Sequence, residues 1–117
     1  MPVLLRELAA ARERYGLIIA DPPNFAPSEA AKREALDSYA ALHAGVLAVL
    51  EPGGYYLAAS CSSHVSHEDF QASLREGERR ARRSLQILER WSAPADHPRL
   101  VAFPEGDYLK VVLLRAA

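Results

Sequence analysis

Residues 17–25 read Leu-Ile-Ile-Ala-Asp-Pro-Pro-Asn-Phe, and this stretch decides the fold of the chain. Its four leading apolar residues show no polar alternation, which predicts a short strand that is buried on both faces. The two prolines fix φ and lack an N–H group, so neither a strand nor a helix continues through them. Residues 21–25 are therefore predicted to form a rigid loop at the carboxyl end of a strand, where open α/β sheets bind their ligands.

A second strand is predicted over residues 55–60, and it ends at the Ser-Cys-Ser of residues 60–62. A helix over residues 28–50 connects the two strands, with Ser28 as its N-cap and an apolar stripe along one face. The Pro-Gly-Gly of residues 52–54 stops this helix and turns the chain. Two strands joined by a long helix are parallel and share a sheet, so the loops that follow them are expected to lie side by side.

The second half of the chain continues the alternation of helices and strands. Ser66 and Asp69 match a capping box, and a helix is predicted from there to about residue 83. Residues 85–91 and residues 108–115 read as strands. Because no helix separates these last two strands, they are expected to pair antiparallel. The predicted fold class is α/β, with a sheet that is parallel except for its last strand.

Length and composition exclude several classes of protein. The 117 residues suffice for one domain, and the formal net charge of −1 gives no global attraction to nucleic acid. One cysteine excludes an internal disulfide and fits a reducing compartment. No apolar run reaches the ~18 residues of a membrane span, and the first 14 residues, which read as a helix, lack a secretory apolar centre. We therefore expect a cytoplasmic protein that has no membrane partner.

Five ordered motifs resemble a known family. The Asp-Pro-Pro-Asn-Phe of residues 21–25, the Pro-Gly-Gly of residues 52–54 and the Ser-Cys-Ser-Ser-His of residues 60–64 resemble the later half of class I S-adenosylmethionine-dependent methyltransferases. The Ala-Asp-His-Pro of residues 95–98 and the Phe-Pro-Glu-Gly-Asp-Tyr-Leu-Lys of residues 103–110 look like the large-subunit ribosomal RNA methyltransferases that make 5-methylcytosine. The resemblance covers essentially the whole chain.

This resemblance implies that residues 1–117 are the C-terminal part of a methyltransferase domain. The implied fold is a three-layer, Rossmann-like half-sheet that holds strands four to seven of the family, with the last strand antiparallel. The family's first βαβ half, whose glycine-rich loop holds the cofactor, has no counterpart in this sequence. The strand at residues 17–20 would then have an open edge, and such edges recruit other chains. We expect self-association or an N-terminal partner to cover it.

The resemblance also implies a reaction and a site. The complete enzyme would transfer a methyl group from S-adenosylmethionine to ribosomal RNA, with Cys61 as the nucleophile that adds to carbon 6 of cytosine. Asp21 would face the target base and share the catalytic role. The cofactor would contact Asp21, Pro22 and Pro23. The implied substrate-binding residues are Asn24, Phe25, Ser60, Ser62 and His64.

Each of these assignments has a plainer alternative. A lone cysteine is usually a small core residue, and an aspartate after a strand often forms an Asx turn. Methyltransferases that act on amino groups carry a similar loop in which an aromatic residue follows the prolines directly. Here Asn24 intervenes, and that spacing together with Cys61 favours carbon as the methyl acceptor. A closed zinc site needs four ligands, so Cys61, His64 and His67 indicate no metal.

Three points stay open. The arginines at residues 79, 80, 82 and 83 end a helix, where they would stabilise the helix dipole or contact RNA. His97 is either structural or part of the pocket. The chain as a whole is interpreted as a methyltransferase fragment that is inactive alone, as one chain of a split methyltransferase, or as a non-catalytic interaction module that assembles through the open strand edge.

Overall fold

The computed structural model describes residues 14–22, 28–61, 65–91 and 110–117. Several features predicted from the sequence lie outside these residues, namely the first helix, His97, the tail motifs before residue 110, and the pocket residues Pro23, Asn24, Phe25, Ser62 and His64. The described ranges contain four strands and two long helices. None of these helices is long and apolar enough to cross a membrane.

Four strands form one mixed sheet in the described residues. They are β1 (Tyr15–Ala20), β2 (Leu50–Ser60), β3 (Leu85–Trp91) and β4 (Lys110–Ala116). Their order across the sheet is β1-β2-β4-β3. β1 pairs parallel with β2, and β4 runs antiparallel to both β2 and β3. This topology confirms the parallel first pair, the antiparallel last strand and the α/β half-sheet that the sequence predicts.

Two helices connect the parallel strands and lie on one face of the sheet. α1 (Lys32–Val49) joins β1 to β2, and α2 (His67–Ala81) joins β2 to β3. Both connections step across the sheet in the same direction, so right-handed crossovers place both helices on the same side. The helices also pack closely on each other: a Cβ atom added at Gly77 of α2 would lie 2.6 Å from the Cβ atom of His43 in α1.

The core lies between this helix layer and the sheet. Side chains alternate along β2 and β4, and the positions that face the helices are buried. Aromatic residues from three elements meet there, since Tyr39 of α1, Tyr56 of β2 and Phe70 of α2 are fully buried. The apolar stripe predicted for α1 is confirmed, because it faces this core.

The opposite face of the sheet is apolar and carries no described helix. Its exposed large side chains include Leu17, Ile19, Tyr55 and Trp91, and we call this surface the open face. β1 is also an edge strand among the described residues, as the sequence analysis expected. The described residues therefore supply the sheet and one helix layer.

The prediction that the strand of residues 17–20 is buried on both faces is wrong for this chain. Leu17 is 59% exposed and Ile19 is 64% exposed, whereas Ile18 and Ala20 pack against the core. Successive side chains of a strand point to opposite faces, and the helices among the described residues lie against only one face of β1. An apolar run predicts burial on both sides, but it does not specify which chain supplies the second layer.

Two predicted boundaries are also corrected. α1 begins after a 3-10 turn (Glu29–Ala31), so its N-cap is Ala31, without a side-chain cap, and not Ser28. β2 begins at Leu50, directly after α1, and includes the Pro-Gly-Gly that was expected to precede it. Gly53 supplies the positive φ of 79° that this segment requires.

Candidate functional site

The described residues of the predicted site, which are Asp21, Pro22, Ser60 and Cys61, lie at one end of the sheet. β1, β2 and β3 all end there, and β4 begins there, because β4 is antiparallel to its neighbours. Ala20 pairs with Ala58 of the neighbouring strand, so Asp21 and Cys61 follow their strands at the same end of the sheet. The two strand ends are therefore side by side, as expected from the sequence.

Asp21 and Pro22 are the described part of the first loop. Asp21 is exposed and Pro22 is half-buried, so the carboxylate is accessible directly after the edge strand. In doubly wound sheets the ligand crevice lies at the carboxyl ends of strands, beside the point where the strand order reverses. Asp21 follows β1, which is an edge strand among the described residues, and this is where the wall of such a crevice would lie.

Cys61 directly follows the last residue of β2. Its thiol is free and partly buried, so it is neither a fully buried core residue nor part of a disulfide. Ser60 precedes it and is fully buried, with its hydroxyl 2.8 Å from that of Tyr39. This hydrogen bond ties the end of β2 to α1 and thereby fixes the point from which Cys61 leaves the sheet.

Lys110 is a buried cation at the same end of the sheet. It begins β4, lies directly opposite Ser60, and is only 2% exposed. Burial lowers the pKa of Lys110 below its usual value, and the nearby carboxylate of Asp69 partly opposes this shift. The sequence analysis gave Lys110 no role. The signal that could have identified it is a lysine at an inward position of a strand that otherwise carries apolar residues.

The N-terminus of α2 follows the loop after Cys61 and lies at the same end of the sheet. The predicted capping box is confirmed: the Ser66 hydroxyl accepts from the Asp69 N–H group, and the Asp69 carboxylate accepts from the Ser66 N–H group. Asp69 also pairs with Lys32 at 2.9 Å. Burial opposes the ionisation of Asp69, but the hydrogen bonds from Lys32 and Ser66 outweigh it, so the pKa of Asp69 lies below its usual value.

His67 stands in the first turn of α2 and is half-buried. Burial lowers its pKa, and the nearby charges of Lys110 and Arg90 lower it further. A neutral imidazole is therefore favoured at this end of the sheet. Within the described residues, no group of His, Cys, Asp and Glu side chains is arranged to hold a metal ion.

The sequence analysis missed a series of buried hydrogen bonds in the core between α1, β2 and α2. His43 Nδ1 lies 2.7 Å from the Tyr56 hydroxyl, and His43 Nε2 lies 3.2 Å from the Ser73 hydroxyl. Ser73 donates its only proton to the Phe70 carbonyl, so it must accept from Nε2–H. Nδ1 is then the acceptor, and Tyr56 donates to it. One tautomer of neutral His43 thus satisfies the whole series of hydrogen bonds, in keeping with a pKa that burial lowers to about 3.

Most arginine side chains at the end of α2 contact other residues of the domain. Arg79 and Arg80 both pair with Glu76, and Arg80 also reaches Asp37 of α1. Arg83 donates to the Leu47 and Leu50 carbonyls at the end of α1. Arg82 is exposed, in a left-handed conformation with a φ of 55°. Helix and interhelix contacts therefore account for three of the four side chains.

The chain is similar to named ribosomal RNA methyltransferases. It is 38% identical to the Ribosomal RNA large subunit methyltransferase I of Tolumonas auensis, over 97% of this chain and 28% of that protein. It is 41% identical to the Ribosomal RNA large subunit methyltransferase of Deinococcus radiodurans, over 86% of this chain and 24% of that protein. The chain thus spans about a quarter of the length of these relatives. No family model matches it.

Solved structures share its fold. A crystal structure that is named as a methyltransferase complexed with SAH superposes on 98% of this chain with a TM-score of 0.76. The two chains are 22% identical, and the match covers 30% of that chain. The arrangement of the four strands and two helices therefore occurs as part of a larger methyltransferase fold.

Proposed function

We propose that this chain forms the acceptor side of an S-adenosylmethionine-dependent methyltransferase that acts on carbon 5 of a cytosine in large-subunit ribosomal RNA. The observation that carries the proposal is the placement of Asp21 and Cys61 at adjacent carboxyl ends of the parallel strands β1 and β2. The similarity to large-subunit methyltransferases supports the class of substrate. SAH is the demethylated form of S-adenosylmethionine, and its presence in a structure of the same fold supports the cofactor.

The reaction assigns Cys61 the nucleophilic role. Its thiolate adds to carbon 6 of the cytosine, and the electron pair that this addition places on carbon 5 then takes the methyl group. S-adenosylmethionine supplies that methyl group on a positively charged sulfur. A base next removes the proton from carbon 5, and the carbon 6–sulfur bond breaks to restore the thiolate. Asp21 would hydrogen-bond to the edge of the cytosine ring and orient it.

The remaining pocket residues come from the same two loops. Asp21, Pro22 and Pro23 would border the cofactor, while Asn24 and Phe25 would contact the base together with Ser62 and His64. Ser60 would support the pocket from the core side. Its buried hydroxyl is hydrogen-bonded to Tyr39, and this contact anchors the end of β2. The target base must leave its stack to enter such a pocket.

The cofactor-binding strands would come from another polypeptide region. The chain spans 28% of the Tolumonas relative, and among the described residues β1 is an edge strand next to Asp21. The open face adds apolar surface next to that edge, which a further layer would bury. We expect the chain alone to bind S-adenosylmethionine poorly, and to bind it once this partner region is added. Calorimetry with and without the partner region measures this.

The reaction is tested with RNA that contains 5-fluorocytosine, because a base cannot remove fluorine from carbon 5 as it removes a proton, and the carbon 6–sulfur bond then stays intact. The chain is mixed with S-adenosylmethionine, fluorinated large-subunit RNA and the part of the Deinococcus relative that it does not match. A covalent protein–RNA adduct is expected. In Cys61→Ala, adduct formation and methyl transfer should fall at least about a thousandfold.

The matched control is Asp21→Asn, which should slow transfer but still form the adduct through Cys61. An undiminished adduct in Cys61→Ala would exclude this thiol as the nucleophile. Methyl groups found on a nitrogen by nucleoside mass spectrometry would exclude carbon as the acceptor.

A non-catalytic module that assembles through β1 is the second candidate function. It is favoured by the open face, which exposes Leu17, Ile19, Tyr55 and Trp91 on one side of a sheet with an open edge. Sedimentation distinguishes it from the first. Concentration-dependent dimers without any cofactor or RNA binding would support a module, and a clean monomer at high concentration would count against it.

A further inference from the structure

A buried hydrogen bond lies directly behind Cys61. The Tyr39 hydroxyl and the Ser60 hydroxyl are 2.8 Å apart, and both side chains are fully buried. Ser60 is the last residue of β2, and Cys61 is joined to it by a peptide bond. The position of the thiol therefore depends on how firmly this last residue of the strand is held.

Within the described residues, the sheet holds the end of β2 from one side only. The pairing of β2 with β1 ends at Ala58, whereas its pairing with β4 continues through Ala59 and Ser60. Strand ends that have fewer neighbours open more readily than residues inside a sheet. A side-chain hydrogen bond from a helix therefore matters more at Ser60 than it would in the middle of β2.

Tyr39 is itself held in one position by the core. It lies within α1, and its ring meets the Phe70 ring edge to face, with the centroids 5.4 Å apart and an angle of 90° between the planes. On another side it stacks with the His43 ring at a centroid distance of 6.3 Å. Such aromatic packing fixes the ring and with it the hydroxyl that meets Ser60.

We propose that Tyr39 is a positioning residue for Cys61, acting through the Ser60 hydroxyl. The bond from Tyr39 fixes the Ser60 side chain and thereby the direction in which the backbone leaves β2. That direction determines where the thiol meets carbon 6 of the base. A displacement of about 1 Å at a reacting atom can cost about a hundredfold in rate. The inference deepens the proposed function, and its catalytic consequence rests on that function.

The test compares two tyrosines of the same core. Tyr39→Phe removes the hydroxyl and keeps the ring. Tyr56→Phe is the matched control, because Tyr56 is also fully buried and its hydroxyl lies 2.7 Å from His43, but it stands within β2 and not at its end. Each substitution removes one buried hydrogen bond, so both should lower the urea midpoint of unfolding by a similar amount.

The first readout is the alkylation of Cys61, which is the only cysteine of the chain. N-ethylmaleimide is added to the folded chain without RNA, cofactor or partner. Tyr39→Phe should react at least about threefold faster than wild type, because a looser strand end exposes the half-buried thiol more often. Tyr56→Phe should stay within about twofold of wild type, since it leaves the end of β2 held.

A double-mutant cycle shows whether the effect passes through Ser60. Tyr39→Phe and Ser60→Ala remove the same bond, so the double variant should react within about twofold of Tyr39→Phe alone. Multiplied effects of the two substitutions would overturn the proposal. Equal alkylation rates for Tyr39→Phe and Tyr56→Phe would overturn it as well.

The second readout is the adduct with fluorinated RNA, formed in the presence of the partner region and S-adenosylmethionine. At saturating RNA, adduct formation by Tyr39→Phe should be at least about tenfold slower than by wild type. The RNA concentration that gives half the maximal rate should stay within about twofold, because a buried core residue does not contact RNA. Tyr56→Phe should resemble wild type in both values.

The two readouts separate two failures. If Tyr39→Phe speeds alkylation as expected while wild type forms no adduct with fluorinated RNA, the hold of Tyr39 on Cys61 stands and the proposed function fails. If wild type forms the adduct and Tyr39→Phe forms it at the same rate, the proposed function stands and the positioning role of Tyr39 is wrong.

Discussion

Single residues in this chain carry roles that depend on their burial. Cys61 and Asp21 are recognisable in the sequence because each ends an apolar strand and belongs to a motif. The buried positions of Lys110 and His43 are not recognisable in the sequence, because they depend on neighbours far away in the chain: Lys110 lies opposite Ser60, and His43 contacts Tyr56 and Ser73. Sequence patterns report local spacing, and buried polar groups are defined by tertiary contacts.

His43 should make the stability of the domain depend on pH. Burial lowers its pKa to about 3, whereas an unfolded histidine titrates near 6.5. The unfolded chain therefore binds one more proton between these values, so this contribution is complete above pH 6.5 and is lost as the pH falls towards 3. From pH 7.5 to pH 5, His43 should reduce the free energy of unfolding by about 2 kcal/mol.

Urea denaturation at pH 7.5, 6 and 5 measures this, with His43→Gln as the matched variant. The variant should be less stable at pH 7.5, yet its stability should fall by about 2 kcal/mol less than that of wild type over the same range. Because the other titrating groups are shared, the difference between the two proteins isolates His43. Parallel pH dependences would show that His43 is not a buried neutral histidine.

At the level of helices and strands, boundaries follow local chemistry where a cap or a turn defines them. The capping box fixes the start of α2, and β3 has the predicted limits, Leu85–Trp91. The start of β2 was misplaced because α1 runs directly into it, and a break at Pro52 is not needed for this transition. Arg83 contributes a further connection, since it joins the region after α2 to the end of α1.

Arg83 should therefore be a stabilising residue of the helix pair. Replacing it with Met removes two charge-assisted hydrogen bonds to the Leu47 and Leu50 carbonyls, and we expect a loss of about 1–3 kcal/mol in the free energy of unfolding. The neighbouring Arg82→Met is the matched control and should change stability by less than about 0.5 kcal/mol, because Arg82 is exposed. Equal effects of the two substitutions would show that the hydrogen bonds from Arg83 to the end of α1 do not stabilise the domain.

At the scale of the molecule, the architecture was predicted correctly from the sequence. The exposure of one face of the sheet was not. The order of helices and strands determines the parallel pair, the antiparallel strand and the side on which the helices lie. The exposure of Leu17 and Ile19 cannot be obtained in this way, since an apolar strand has the same sequence whether its second layer belongs to the same chain or to another. The pattern of residues 17–20 therefore predicts a strand, and it does not predict how much of that strand is covered.

The open face gives the last prediction. Leu17→Lys places a charge at a position that is 59% exposed, so it should change the free energy of unfolding by less than about 1 kcal/mol. The same change at its neighbour Ile18, which packs against the core, should cost about 3 kcal/mol or more because it buries an unpaired charge. Leu17→Lys should also weaken any dimer seen by sedimentation and prevent the partner region from restoring cofactor binding. A large loss of stability in Leu17→Lys with unchanged association would instead show that this side chain is covered within the chain itself.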